Sequence, residues 1–269
     1  MFEYVFMQRG ILVGILLGAI IPLVGVTVVL KRLSMIGDAL SHTSLAGVAG
    51  GMIAGINPVA GAIAACLGAL CVEGVRRHFK DQSELAVAIV MAAGIGLAGV
   101  LSGFVPNSSS FNSFMFGSIL TVSEQEVQMI VVISVLAVAF CFFLRKELFL
   151  MSFDERHARC VGVPVSLINF GFVIAVALVV AVAARTVGSL IVSSMMVVPV
   201  ACALQISRSW KQCCLYASTV GMLTSLGGLV ISYELGLKPG GTIVLLAVVT
   251  LLFIFLVKRV VLLLKTRAV

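Results

Sequence analysis

Residues Ile11–Leu30 read ILVGILLGAIIPLVGVTVVL, a stretch without one charged side chain and with Thr27 as its only polar one. At a rise of 1.5 Å per residue, a helix of this length covers about 30 Å, the thickness of the hydrocarbon core of a bilayer. Hydrocarbon offers no hydrogen-bond partners, so such a run satisfies its backbone only by coiling on itself. No charged n-region precedes it and no small-residue cleavage site follows, so it reads as a retained span and not as a leader.

Eight further runs of the same kind follow: Asp38–Ile56, Pro58–Val75, Leu85–Val105, Val127–Leu144, Val165–Ala184, Val187–Ile206, Cys213–Tyr233 and Gly241–Val257. None alternates apolar and polar residues as a barrel strand does. Over all 269 residues, 61% are hydrophobic and 11% charged, less than half the charge of an ordinary soluble chain. A water-soluble fold has too little interior to hide that much apolar surface. The expectation is an all-α, polytopic membrane bundle of about eight or nine transmembrane helices, forming one transmembrane domain over residues 1–269. Seven cysteines without CxxC spacing indicate neither a disulfide framework nor a zinc knuckle.

The net charge of +7 is arranged for a membrane and not for nucleic acid. Its cations sit in short clusters between apolar runs, with all but three on one side: Lys31, Arg32, Arg76, Arg77, Lys80, Arg145, Lys146, Arg156, Arg159, Arg208, Lys211, Lys258, Arg259, Lys265 and Arg267. Arg9, Arg185 and Lys238 fall on the other. Basic loops stay in the cytoplasm, so the C-terminus is expected inside and, with nine spans, the N-terminus outside. Two connections are long. The outer one, Pro106–Glu126, holds a polar patch at Asn107–Ser110 and an apolar piece at Phe114–Leu120 suited to a half-helix in the interface. The inner one, Arg145–Pro164, suits a short helix on the cytoplasmic surface.

Ionisable groups inside apolar runs are costly and mark candidate sites. Asp38 and His42 stand one helical turn apart in Gly37-Asp38-Ala39-Leu40-Ser41-His42. At that spacing their Cβ atoms lie about 5–6 Å apart on one face. A carboxylate and an imidazole so placed can share a cation at bonds of about 2.0–2.2 Å, and the donor types suit zinc, manganese or ferrous iron. A two-fold axis through a homodimer would complete four ligands. The competing reading makes Asp38 an N-cap and His42 a hydrogen-bonding partner of a neighbouring helix. Ser193 and Ser194, just over a turn before Pro199, are candidates to face a pathway. Arg185 reads as a snorkelling residue in a tight outer turn, and Glu73, near Arg76 and Arg77, as an ion-paired interfacial residue.

The stretch from Lys31 to His42 closely resembles the signature of the zinc/manganese/iron permease family of ABC importers. Similarity extends to Phe116–Leu120, Val187–Ser193 and Val197–Ala201. The resemblance implies a type II importer-like permease in a bacterial cytoplasmic membrane, working as a homodimer. It implies two cytoplasmic ATP-binding subunits, an extracytoplasmic metal-binding protein, and a transported divalent metal with no permanently bound cofactor. It further implies that Asp38 and His42 line the ion path, and that the segment at about 152–163 is the coupling helix that docks into the ATPase. Within it Asp154, Ala158 and Gly162 match the pattern, with Asp154 expected to cap the helix, Ala158 to allow close approach and Gly162 to end it. His157 reads as an interface residue. Many relatives carry Pro-Gly where this chain has Ala46-Gly47, which removes an expected kink.

Three rivals remain. A gradient-driven secondary transporter predicts inverted repeats, and none stands out. An intramembrane metalloenzyme needs a motif such as His-Glu-x-x-His, which is absent. A vitamin or siderophore importer of the same architecture has no use for a metal-binding pair.

Overall fold

The computed structural model describes residues 5–55, 59–78, 83–105, 115, 117 and 122–267. Among them run eleven helices and no strand: α1 Val5–Leu30, α2 Ile36–Ile53, α3 Val59–His78, α4 Ser83–Ser102, α5 Glu124–Phe143, α6 Arg145–Phe153, α7 Glu155–Cys160, α8 Val165–Thr186, α9 Ser189–Ile206, α10 Trp210–Leu235 and α11 Pro239–Arg267. All but α6 and α7 coincide with the nine apolar runs. Six (α1, α4, α5, α8, α10 and α11) are long and apolar enough to cross a bilayer by themselves. The other three fall short for readable reasons. In α3 the apolar part is only Ile63–Val72 and in α9 only Ile191–Ile206, while α2 carries Asp38, Ser41, His42, Thr43 and Ser44.

Burial sorts the bundle into centre and rim. In α1 and α8, 67% of the most apolar window is buried, against 22% in α5 and 17% in α11. The central helices meet protein on most sides, and the outer ones keep leucine and phenylalanine faces for lipid. Helix α1 packs against α10 where two glycines meet. A methyl group built on Gly18 would sit 2.7 Å from the Gly221 carbonyl oxygen, and one on Gly221 would strike the Gly18 carbonyl and, at 2.6 Å, Cγ of Pro22. Pro22 lacks the N–H that the Gly18 carbonyl would otherwise accept, so the freed oxygen lies against the bare α-carbon of Gly221. Helix α11 is pinned to α10 by Thr242, whose hydroxyl donates to the Gly228 carbonyl at 2.9 Å.

Ionic contacts collect at the two ends of α1. Arg9 pairs with Glu124 near its start, and Lys31 pairs with Glu155 just past its end. About 30 Å of helix separates them, the span of the hydrocarbon.

Candidate functional site

Helix α2 carries both residues of the expected ion-binding pair. The chain enters it from a tight corner. The N–H of Leu33 reaches back to the Val28 carbonyl and that of Arg32 to Val29, with Arg32 left-handed at φ 58°. This is a Schellman closure with arginine where glycine is usual. Met35 is then the N-cap of α2, without a side-chain hydrogen bond, and Asp38 lies inside the first turn. Asp38 is therefore not the cap that one reading made it. Asp38 instead stands in the first turn, at the positive end of the helix dipole.

Asp38 and His42 share a helical face, and both are half-buried. Among the described residues neither side chain makes a hydrogen bond or an ion pair. Thr43 uses its hydroxyl on its own helix, donating to the Ala39 and Leu40 carbonyls at 3.0 Å each. Ser41 is fully buried, and its hydroxyl has no partner. No group of three or more His, Cys, Asp or Glu gathers among the described residues. Among the described residues, this place thus holds one carboxylate and one imidazole.

Two glycines set how closely α3 and α4 approach this part of α2. A methyl group at Gly68 would lie 2.6 Å from Thr43 Oγ1. One at Gly94 would lie 3.0 Å from Thr43 Cγ2 and 3.3 Å from the His42 carbonyl carbon. Gly68 and Gly94 sit near the midpoints of α3 and α4, each a 20-residue helix. Thr43 and the His42 backbone therefore face the middle stretches of both helices. On another side, a methyl group at Gly37 would lie 3.3 Å from the Ser193 Cα and 3.5 Å from the Met196 sulfur. Ser193 is so brought beside the first turn of α2, next to Asp38, whereas Ser194 is not part of this contact. Helix α2 runs unbroken through Ala46-Gly47 to Ile53, as expected without the proline.

The inner connection forms two short helices, α6 and α7. Asp154 caps α7, its Oδ1 accepting from the backbone N–H of Arg156 at 2.8 Å and of His157 at 3.1 Å. Those bonds, that from His157 foremost, hold the Asp154 carboxyl below its ordinary value. Ala158 is fully buried, while Arg156, His157, Arg159 and Cys160 are exposed. Gly162 ends the helix at φ 86°, with Val163 N–H returning to the Ala158 carbonyl at 3.0 Å. Asp154 thus caps the helix and Gly162 ends it, while Ala158 is turned into the chain's own interior.

Against known proteins, the family model described as ABC 3 transport family matches residues 3–258. The chain belongs to that family. It is 35% identical over 264 residues to a probable metal transport system membrane protein of Treponema pallidum, covering 97% of this chain and 98% of the relative. It is 30% identical over 256 residues to the manganese import system permease protein ScaB of Streptococcus parasanguinis, covering 95% and 91%. A solved structure, PsaBC from Streptococcus pneumoniae in complex with Fab, superposes with a TM-score of 0.83 at 27% identity, covering 94% of this chain and 92% of that one.

In this ABC 3 family permease the end of the bundle that holds Arg9 carries its own polar tier. Arg185 does not simply reach for water. Its Nε meets Glu126 Oε1 at 2.6 Å, while the other oxygen of Glu126 accepts the Ser123 N–H at 2.7 Å. Ser123 and Glu126 form a capping box at the head of α5, and Ser-x-x-Glu ahead of an apolar run is a readable sign of one. Gly117, at φ 68°, abuts the Val187 backbone in the turn between α8 and α9. The Asn107–Ser110 patch, most of the Phe114–Leu120 piece, and the Glu73, Arg76 and Arg77 side chains lie outside the described residues. Sequence reading did not find the approach of Gly68 to Thr43 or the burial of Lys31, because each is defined by contact with another helix.

Proposed function

We propose that this chain is the transmembrane permease subunit of an ATP-driven importer of a divalent transition metal (zinc, manganese or iron). The ion passes along a path lined by Asp38 and His42 where two copies of the chain meet. The observation that carries this reading is the pair itself: a carboxylate and an imidazole one turn apart on α2, neither engaged by a described residue of its own chain. A second copy across a two-fold axis supplies the other half of an O2N2 shell. Relatives whose names describe manganese and iron transport support the choice of cargo. Ser193, beside Gly37, and Ser194 line the same path.

The resulting mechanism assigns few tasks to the chain. A partner protein delivers the ion to the outer mouth, and Asp38 and His42 replace part of its water shell. Moderate affinity is required, since a deep trap stalls release. Hydrolysis of ATP belongs to two separate cytoplasmic subunits, and this chain performs none. The segment at 152–163 docks on them through the exposed face of α7, with Asp154, Ala158 and Gly162 shaping the helix. The bias of cations places the ends bearing Lys31 and Arg145 inside, together with the C-terminus, and Arg9 outside. Family membership favours ATP over an ion gradient as the energy source.

The test is metal uptake into vesicles holding the assembled transporter, wild type beside Asp38→Asn and His42→Ala. Both variants are expected to lose at least about tenfold in uptake, equal to about 1.4 kcal/mol of lost transition-state stabilisation. Uptake is also expected to stop without ATP. Wild-type uptake by either variant refutes the assignment of the pair.

A further inference from the structure

Lys31 reads from sequence as one of the cytoplasmic cations, yet its side chain is only 4% exposed. Its ammonium donates to Glu155 Oε1 at 3.2 Å and to the Asn169 side-chain oxygen. It also stands 5.9 Å from the centre of the buried Phe172 ring. The Asn169 amide closes the circuit, donating to the same Glu155 oxygen at 3.1 Å. These groups come from three segments: the residue just past α1, the first residue of α7, and the early turns of α8. An ammonium so far from water is tolerated only with its partners in place, so the three segments are held in one arrangement.

What lies between Lys31 and Asp38 has little slack. Lys31 N–H bonds the Thr27 carbonyl at 3.0 Å, Arg32 and Leu33 form the Schellman closure, and Ile36 N–H bonds Leu33 at 2.8 Å. The next residues are already the first turn of α2. Helix α7 meanwhile turns Ala158 inward and leaves Arg156, His157, Arg159 and Cys160 facing out. A body that grips the exposed face of α7 therefore pulls on Glu155, and through it on the corner that carries Asp38.

We propose that Lys31 is a positioning residue: it joins α7 to the corner between α1 and α2, so that displacement of α7 shifts the first turn of α2 and with it Asp38. This rests on the reading of α7 as the docking segment and of Asp38–His42 as the ion pair. Lys31 touches no cargo. It makes the inner segment and the head of α2 move as one piece.

The decisive measurement is the number of metal ions moved per ATP hydrolysed by the full transporter in vesicles. Lys31→Met keeps the stem and removes the ammonium. It is expected to lower that ratio at least about fivefold, while ATP hydrolysis by the complex and metal binding by the purified permease stay within about twofold. Glu155→Gln, which keeps an oxygen acceptor and so folds readily, is expected to lower the ratio about two- to fivefold. The double variant is expected to lose no more than the worse single one, as partners in one contact do. A wild-type ratio in Glu155→Gln or in a folded Lys31→Met overturns the proposal, as does loss of transport and hydrolysis in equal proportion. Should Asp38→Asn and His42→Ala transport normally while Lys31→Met uncouples, the ion-pair reading fails and the linkage stands.

Discussion

Replacing Gly68 with alanine tests whether the setting of His42 depends on how closely α3 approaches α2. The added methyl would stand 2.6 Å from Thr43 Oγ1 and 2.9 Å from both Cβ and Cγ2 of the same residue. Ordinary contact starts at about 3.4 Å, so the two helices must separate by about 0.5–0.8 Å or Thr43 must leave its rotamer. Overpacking of this kind costs about 1–3 kcal/mol. Ligand geometry has to hold within about 0.5 Å, so the displacement should also weaken metal binding by about tenfold. Thr43→Ala removes two of the three clashing atoms at small cost, since that hydroxyl bonds only to its own helix. It should therefore restore much of what Gly68→Ala loses. The same rescue should fail for Gly94→Ala, whose methyl also meets the Thr43 backbone nitrogen at 3.1 Å and the His42 carbonyl carbon at 3.3 Å, atoms no side-chain trimming removes. Titration calorimetry with manganese and thermal unfolding in detergent measure the two effects. Wild-type affinity and unfolding temperature in both glycine variants, or equal rescue of both by Thr43→Ala, refutes the clamp.

Gly221→Ala should destabilise the bundle by at least about 2 kcal/mol, because its methyl meets the Gly18 carbonyl and Pro22 where α1 and α10 touch; unfolding in detergent reads this directly. Glu126→Ala should cost about 1–2 kcal/mol more than Glu126→Gln, since glutamine keeps the capping box of α5 and alanine loses both the cap and the Arg185 contact. Denaturant melts of the two variants, compared side by side, test that order. Asp154→Ala should fray α7, seen as faster amide exchange at Arg156 and His157, whose N–H groups lose their acceptor. Because the folded value of Asp154 is lowered, the cap's contribution is fully present above the ordinary carboxylate range and is lost only as pH falls through the lowered value. Exchange at those amides should therefore show no extra opening between neutral and mildly acidic pH.

Much of the architecture was legible without coordinates. Long apolar runs can satisfy their backbone in lipid in only one way, so the span positions follow from composition, and the described helices occupy all nine. The local form of α7 was legible for a similar reason. A cap, a small buried residue and a left-handed glycine are near-neighbour effects, written within nine residues of one another. The Asp38–His42 spacing belongs to the same class, since one turn of helix is all it requires. The count of fully spanning helices was less secure, because α2, α3 and α9 are shortened or diluted by polar residues, and periodicity does not say how deep a diluted helix sits.

Taken alone, the order of residues determined that this chain is a membrane-embedded helical permease, with one acid and one imidazole on a common face. Backbone satisfaction in hydrocarbon and the geometry of a single turn demand nothing from the rest of the chain. Tertiary packing decided how closely α3 and α4 crowd that helix, through Gly68 and Gly94. It also decided that Arg185 is matched by Glu126, and that Lys31 is not a loop charge but the buried link between α7 and α2. Those outcomes depend on which distant helices touch. A contact between residues on separate helices leaves no local periodicity to read.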